Sequence, residues 1–154
     1  LNNAGTAIPR KFEDTTLEEL DRAMDVHVRA VMVATNAALK HINRGGRIIM
    51  IGLCVGERMM TPGLVPYPAT KGAVKMFSQG LSREVGNRGI TVNMIQPTPI
   101  DTDLKPAAGE WAVPQKAATA LGRYGSLRKW PRWLRSLLSR RRRRYITVDR
   151  GTNA

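Results

Sequence analysis

Tyr67 and Lys71 stand four residues apart in Tyr67-Pro68-Ala69-Thr70-Lys71. On a helix that spacing projects both side chains from one face. A free tyrosine has a pKa near ~10 and is a poor acid or base at neutral pH. A cation one turn away favours the phenolate, lowers that pKa and makes the tyrosine usable for proton transfer. A surface tyrosine beside a surface lysine has the same spacing. The elements that carry the pair decide between the two.

Thr16-Leu17-Glu18-Glu19 is a capping box, whose hydroxyl and carboxylate can each satisfy an open backbone donor. Leu20, Met24, Val28, Val31, Met32, Thr35 and Leu39 follow at helical spacing. They predict one long, largely buried helix ending before Gly45-Gly46. Ile48-Ile49-Met50-Ile51 has no alternation and is flanked by glycines, as a strand buried on both faces would be. Gly52 to Pro66 reads as a loop and Tyr67 to Val85 as a second long helix, closed by Gly86 and Gly89. Ile90 to Ile95 reads as another buried strand. Pro97, Pro99 and Pro106 then force an irregular crossing, and Glu110 to Leu121 has the pattern of a short helix. Strand stub, helix, strand, helix, strand is an α/β order, with parallel pairing and right-handed crossovers. Ligands of such sheets sit beyond the carboxyl ends of the strands. Asn2 to Gly5, Gly52 to Pro66 and Gln96 to Thr102 all fall there, which favours the catalytic reading of Tyr67 and Lys71.

The 154 residues make at most one domain, long enough to bury a core. A single cysteine, Cys54, excludes an internal disulfide framework and suits a reducing, cytoplasmic setting. Its plainest role is a small buried filler. No apolar run reaches the length of a membrane span, no signal-peptide pattern opens the chain, and no metal ligand set is assigned. The first residue is Leu rather than Met, so an incomplete N-terminus is expected. The net charge of +13 is uneven. Residues 1–122 hold 14 Lys/Arg and 11 Asp/Glu, whereas residues 123–154 hold 11 Lys/Arg and one Asp. Whole-chain charge is therefore a misleading guide to partners.

Asn3-Ala4-Gly5 after a strand, Tyr67-x-x-x-Lys71 on a helix, and Gln96-Pro97 with Thr102 beyond a strand resemble the short-chain dehydrogenase/reductase family. Gly46-Arg-Ile-Ile, Tyr67-Pro-Ala-Thr-Lys-Gly-Ala-Val and Ile90-Thr-Val-Asn resemble its sugar/alcohol dehydrogenase and 3-oxoacyl-carrier-protein reductase-like branch. Each motif alone is weak; three in order, at the right structural places, are specific. The resemblance covers residues 1–125 and returns weakly at 145–154. It implies an α/β, Rossmann-like doubly wound parallel sheet and hydride transfer between NAD or NADP and an alcohol or carbonyl substrate. Tyr67 would exchange the proton with substrate oxygen, and Lys71 would bind the nicotinamide ribose and stabilise the phenolate. Asn3, Ala4 and Gly5 would line the adenosine-ribose side of the cofactor. The backbone near Pro97 and the Thr102 hydroxyl would hold the nicotinamide carboxamide. The two long helices resemble the pair that forms the family's four-helix homodimer interface.

Five features depart from the family pattern. The N-terminal strands and the glycine-rich phosphate-binding loop are missing from these residues, and with them the residue that selects NAD from NADP. Leu53 stands where the family has a catalytic serine, and leucine cannot donate a hydrogen bond. Losing one such donor costs a factor of roughly 10²–10³ in rate. Cys54 is adjacent, but a thiol donates weakly. His27 stands where the family has an asparagine that helps hold a water; a histidine is larger and can change charge. Pro68 follows the tyrosine and biases Tyr67 away from helical geometry, although a proline is tolerated near a helix start. Thr98 replaces a glycine after Pro97, which is awkward if that position needs positive φ.

Residues 126–144 form an anomalous basic segment. Trp130, Trp133, Leu134, Leu137 and Leu138 fall at helical spacing, with Arg128, Lys129, Arg132 and Arg135 elsewhere and five arginines after them. That composition suits an anionic membrane surface or nucleic-acid phosphates, but no nucleic-acid module accompanies it. A frameshift explains it better. If Lys129 to Leu137 is encoded AAG TGG CCG CGC TGG CTG CGT TCC TTG, the adjacent frame spells Glu-Val-Ala-Ala-Leu-Ala-Ala-Phe-Leu, the helix the family has here. Residues 145–154 then resemble the last strand and C-terminus, with a few residues missing after Thr147 and Arg150 where glycine is usual.

The sequence reading is an NAD(P)-dependent oxidoreductase of this family, truncated and impaired. The alternative is a non-catalytic remnant, or a polyanion- or membrane-surface-binding protein acting through the basic tail. Leu104, Trp111 and Val113 suggest an apolar-lined lid over the substrate between Thr102 and Leu121.

Overall fold

The computed structural model describes residues 1–7, 9–53, 62–97, 99–103, 106–109, 112–117, 119, 121–126, 134–135 and 138, and the backbone of 145–148. Cys54, Thr98, Leu104, Trp111 and most of the basic segment lie outside the described residues.

A three-stranded parallel sheet forms the centre, in the order β1 (Arg47–Ile51), β2 (Thr91–Pro97), β3 (Tyr145–Val148). Ile48 pairs with Val92 and Ile51 with Ile95, while Met94 pairs with Tyr145. The N-terminal stub continues the sheet on the free side of β1: Asn2 bridges Met50 in parallel, and its N–H donates to the Ile49 carbonyl at 3.1 Å. All the strand ends therefore open on one edge.

Side-chain alternation divides the sheet's two faces. Ile48, Met50, Val92 and Met94 pack on one side with Val74, Leu81 and Val85. Ile49 and Ile95 face the other side, where Leu134 packs against them. Both faces are thus covered, which is why these strands read as continuous apolar runs. The fold is a Rossmann-like doubly wound α/β sheet.

The helix after the capping box spans α1 (Leu17–Met24), a π-helical turn (Asp25–Arg29) and α2 (Ala30–Leu39). Thr16 accepts from the Glu19 N–H at 3.2 Å, and the Glu19 carboxylate accepts from the Thr16 N–H at 3.1 Å, as the box requires. The expectation of a largely buried helix is corrected. Only His27, Val28 and Thr35 are buried, while Leu17, Met24, Met32 and Val33 are exposed. Regular apolar spacing gives one sticky face but cannot say whether this chain supplies its cover. The π turn adds a residue to the repeat: the Ala30 N–H reaches back to the Asp25 carbonyl. The 3.6-residue pattern of the sequence carries no mark of it.

The second long helix, α3, runs Pro66–Glu84, with Pro66 in the first turn. Tyr67 is helical despite Pro68, so the anticipated turn away from helical geometry does not occur. In a first turn a backbone N–H would lack a helical partner anyway, so the one that proline lacks is not missed. The Thr70 hydroxyl donates to the Tyr67 carbonyl at 2.7 Å. Gly89, at φ 67°, ends the short 3-10 turn (Gly86–Arg88) before β2. Within the stretch from Glu110 to Leu121, expected to form a short helix, the structure describes α4 (Ala112–Ala117). Among the described residues, no helix is long and apolar enough to cross a membrane.

Candidate active site

β1 ends at Ile51, and the chain passes close against β2 at Gly52, whose N–H donates to the Ile95 carbonyl at 2.8 Å. A Cβ at Gly52 would lie 2.6 Å from the Met94 sulfur, so only glycine passes here without displacing the core. Leu53 follows, half-buried, and the Gln96 amide reaches its carbonyl at 3.5 Å. The position expected to carry a hydroxyl donor thus presents an apolar side chain.

α3 begins beyond this strand end and brings Lys71 back over it. The Lys71 ammonium donates to the Ile51 carbonyl at 3.2 Å and lies 5.6 Å from the centre of the Tyr67 ring. Lys71 is 8% exposed, and no salt-bridge carboxylate partners it among the described residues. Burial lowers its pKa below the ordinary lysine value. A buried ammonium held by a backbone carbonyl is costly to keep as structure alone. It is useful where a neighbouring phenolate must be stabilised.

The π turn delivers the third group. His27, 1% exposed, stands edge-on to Tyr67 with ring centroids 5.2 Å apart and planes at 71°. Its Nε2 lies 2.6 Å from the Thr6 carbonyl oxygen and 3.2 Å from the Thr6 amide. Nε2 donates to the Thr6 carbonyl when it carries the proton and accepts from the Thr6 N–H when it does not, so the Thr6 backbone holds the ring in either tautomer. Burial, followed by the nearby Lys71 charge, lowers the His27 pKa, while the Thr6 bond opposes this.

Of the residues singled out from sequence, the structure joins Tyr67, Lys71, His27 and Gly5. A Cβ at Gly5 would sit 3.1 Å from His27 Cε1, so this glycine lets the loop approach the ring. Asn3 and Ala4 are exposed beside it on the strand-end edge. Pro97 closes β2, and Thr102 lies half-buried beyond it. Sequence reasoning missed Thr6 and the Ile51 carbonyl, because both act through backbone atoms available at any residue. It also missed the side-chain bond from Asn2 to Thr35, 3.3 Å long, which ties the stub to α2.

Of the three residues expected to line an apolar lid, Leu104 and Trp111 lie outside the described residues. Val113 is 77% exposed. A cleft of about 470 Å³ in this region is lined by Asp101, Ala107, Lys116, Arg123, Tyr124, Gly125 and Ser126. Tyr124 is anchored there by donating to the Gln115 amide oxygen at 2.6 Å.

The carboxyl edge of the Rossmann-like parallel sheet thus gathers a tyrosine, a lysine one helical turn on, and a buried imidazole. Residues 1–113 match the family described as short chain dehydrogenase, and the chain belongs to that family. A cyclic-di-GMP-binding biofilm dispersal mediator protein of Escherichia coli K12 is 36% identical over 123 residues, covering 80% of this chain and 52% of its own length. A probable tetrahydroxynaphthalene reductase of Zymoseptoria tritici is 34% identical over 73% of this chain and 42% of its own. The chain therefore spans about half the length of these curated relatives. A short chain dehydrogenase from Burkholderia cenocepacia, solved in complex with NADP, superposes with a TM-score of 0.95 at 38% identity. That match covers 99% of this chain and 64% of the other.

Proposed function

We propose that the chain carries the proton-transfer half of an NAD(P)-dependent oxidoreductase acting on an alcohol or carbonyl. The observation that carries the reading is the Tyr67–Lys71 pair seated over the carboxyl end of β1, with the Lys71 ammonium tied to Ile51. Tyr67 exchanges the proton at substrate oxygen, and Lys71 holds the phenolate form. Asn3, Ala4 and Gly5 take the adenosine-ribose side of a dinucleotide, Lys71 its nicotinamide ribose, and Pro97 with Thr102 its carboxamide. The residues fit such a group: a buried ammonium without a carboxylate partner among the described residues suits ribose hydroxyls. When bound, the nicotinamide supplies or accepts the hydride. Structural relatives solved with NADP and with NADPH favour the phosphorylated form.

Leu53 makes the site slow, because no hydroxyl donor stands at the strand end. Exposed Met24, Met32 and Val33 on α1 and α2, with Met76 on α3, support pairing of these helices with a second copy. Sedimentation that shows only monomer at high concentration overturns that pairing.

The test is reduction of a ketone and quinone panel with NADPH and NADH, comparing the chain with Tyr67→Phe. The expected result is activity lost by at least about 10²-fold in the variant and retained on deletion of residues 126–144. Activity that ignores Tyr67 defeats the reading. A tail-dependent binder would instead lose liposome or nucleic-acid binding on that deletion. Leu134 already packs against Ile49 and Ile95, which disfavours the tail as a free membrane-binding face. The frameshift reading of residues 126–144 is settled by the nucleotide sequence: an adjacent frame that does not spell an alanine-rich helix rejects it.

A further inference from the structure

Beyond β2 the chain builds a second recess that the proton-transfer pair does not share. Neither Tyr67 nor Lys71 lines the cleft of about 470 Å³; its walls come from the segment after β2 and from α4 with the turn that follows it. Local bonds set its shape. Ile100 bridges Gly125 in parallel, the Asp101 N–H donates to the Gly125 carbonyl at 3.0 Å, and the Gly125 N–H donates to the Pro99 carbonyl at 2.8 Å. A Cβ at Gly125 would collide with Ile100 Cδ1, so glycine permits the approach. Thr119 holds the turn after α4. Its hydroxyl donates to the Lys116 carbonyl at 2.9 Å and accepts from the Arg123 N–H at 3.2 Å. One hydroxyl thus links the backbones of Lys116 and Arg123, and both residues line the cleft.

The charges around this recess are unevenly committed. Asp101 Oδ1 accepts from the Ala107 N–H at 2.9 Å, which fixes the carboxylate on one wall. Tyr124, 7% exposed, donates to the Gln115 amide oxygen. Burial, and then the Asp101 charge, hold its pKa above the ordinary value, so it stays a phenol. Lys116 and Arg123 have no side-chain hydrogen bond or ion pair among the described residues, and neither pairs with Asp101. Two cations that share a recess and leave its carboxylate unpaired favour an anion between them. The carboxylate wall can only accept hydrogen bonds, which suits hydroxyl groups. The volume is that of a small-molecule site.

We propose that this cleft binds a small hydroxylated anion of the sugar-phosphate class, its anionic end held by Lys116 and Arg123 and its hydroxyls by Asp101. The buried Tyr124 and Gly125 line it between those walls. The site is separate from the Tyr67–Lys71 pair and does not rest on the dehydrogenase reading.

The test is ribose 5-phosphate titrated into the full chain carrying ¹³C-labelled tyrosine, followed by NMR. The chain has three tyrosines, and Tyr124→Phe assigns the signal of Tyr124. The expected result is a saturable shift of that signal, with ribose 5-phosphate bound more tightly than inorganic phosphate or ribose. Lys116→Gln and Arg123→Gln should each weaken binding about tenfold or more, as loss of a charge-assisted hydrogen bond does. Asp101→Ala should remove the preference for ribose 5-phosphate over inorganic phosphate. The five arginines at 140–144 attract any anion, so Arg142→Gln/Arg143→Gln is the control and should leave the Tyr124 titration unchanged. Binding that follows this control and ignores Lys116 and Arg123 overturns the proposal, as does a Tyr124 signal that never saturates. A shift confined to Tyr67 puts the sugar phosphate at the proton-transfer site and also overturns it. Equal affinity for inorganic phosphate in the parent overturns the hydroxyl-binding role of Asp101 and with it the ligand class. Lys116 is half-buried and Arg123 exposed; should either variant unfold, the other and the comparison of ligands in the parent still decide. The readout does not use turnover, so failure of the dehydrogenase reading leaves it intact.

Discussion

His27 meets Tyr67 edge-on, with ring centroids 5.2 Å apart and planes at 71°. The two residues are forty positions apart and sit on helices that the sheet's crossover brings together. The contact places a buried imidazole against the phenol, with the Lys71 ammonium 5.6 Å from the phenol ring centre and bonded to the Ile51 carbonyl. Each group perturbs the next, and the perturbations can be measured.

Lys71→Met should abolish turnover and yet leave the fold at least as stable at neutral pH. The ammonium is buried with only a carbonyl oxygen as described partner, and methionine fills similar volume without that desolvation. The pH dependence has a definite sign. The folded pKa lies below the ordinary 10.5, so between the two values the unfolded chain binds more protons and stability rises with pH. Urea midpoints at pH 7, 9 and 10.5 should show the parent gaining on Lys71→Met as pH rises. A parent that loses ground over that range counts against a buried, charged Lys71.

His27 gives an effect of the same sign at lower pH. Its folded pKa lies below the ordinary 6.5, so on acidification the unfolded chain takes up the proton first. Stability should fall as pH drops through 6.5 and stop falling on this account once the folded value is passed. His27→Phe lacks the contribution, so its urea midpoint should fall less steeply between pH 7.5 and pH 5. Parallel curves for parent and variant contradict the desolvated imidazole.

Leu53→Ser should raise turnover. The half-buried residue follows Gly52 at the end of β1, where a hydroxyl could donate to a substrate oxygen. One such donor is worth roughly 10²–10³ in rate where the remaining site is in place. The measurement is kcat for carbonyl reduction in Leu53→Ser against the parent, with KM determined separately. No gain in a folded variant means that the Leu53 backbone does not aim its side chain at the reacting oxygen.

Gly52→Ala should destabilise the chain by about 1–3 kcal/mol through overpacking. Its Cβ would lie 2.6 Å from the Met94 sulfur and 3.0 Å from Met94 Cγ, and Met94 is fully buried. Met94→Ala clears that space, so the double variant should cost less than the sum of the two single changes. Additive urea-unfolding free energies would show that the clash is relieved elsewhere.

Much of this could be read from residue order. The capping box at Thr16, the buried runs in β1 and β2, and the spacing of Tyr67 and Lys71 are local properties, written in neighbouring residues and borne out where the chain folds. Burial of the first long helix was not legible, because Met24, Met32 and Val33 repeat as a core stripe does whether or not anything covers them. The helical state of Tyr67 was legible in the Tyr67 to Val85 pattern, because a pre-proline bias is weak and α3 overrides it in its first turn.

By itself the sequence determined the α/β order, the parallel strands and the residue types able to move a proton, because each depends on contacts along a short stretch of chain. The tertiary structure alone decided what those residues do to one another. It set Lys71 on the Ile51 carbonyl, slid Gly5 under the His27 ring and turned that ring between Thr6 and Tyr67. These relationships join distant parts of the chain through backbone atoms and through a π turn that apolar periodicity does not encode. Their consequences, a lowered lysine pKa and a lowered histidine pKa, arise from burial, which exists only once the sheet and its helices have closed around them.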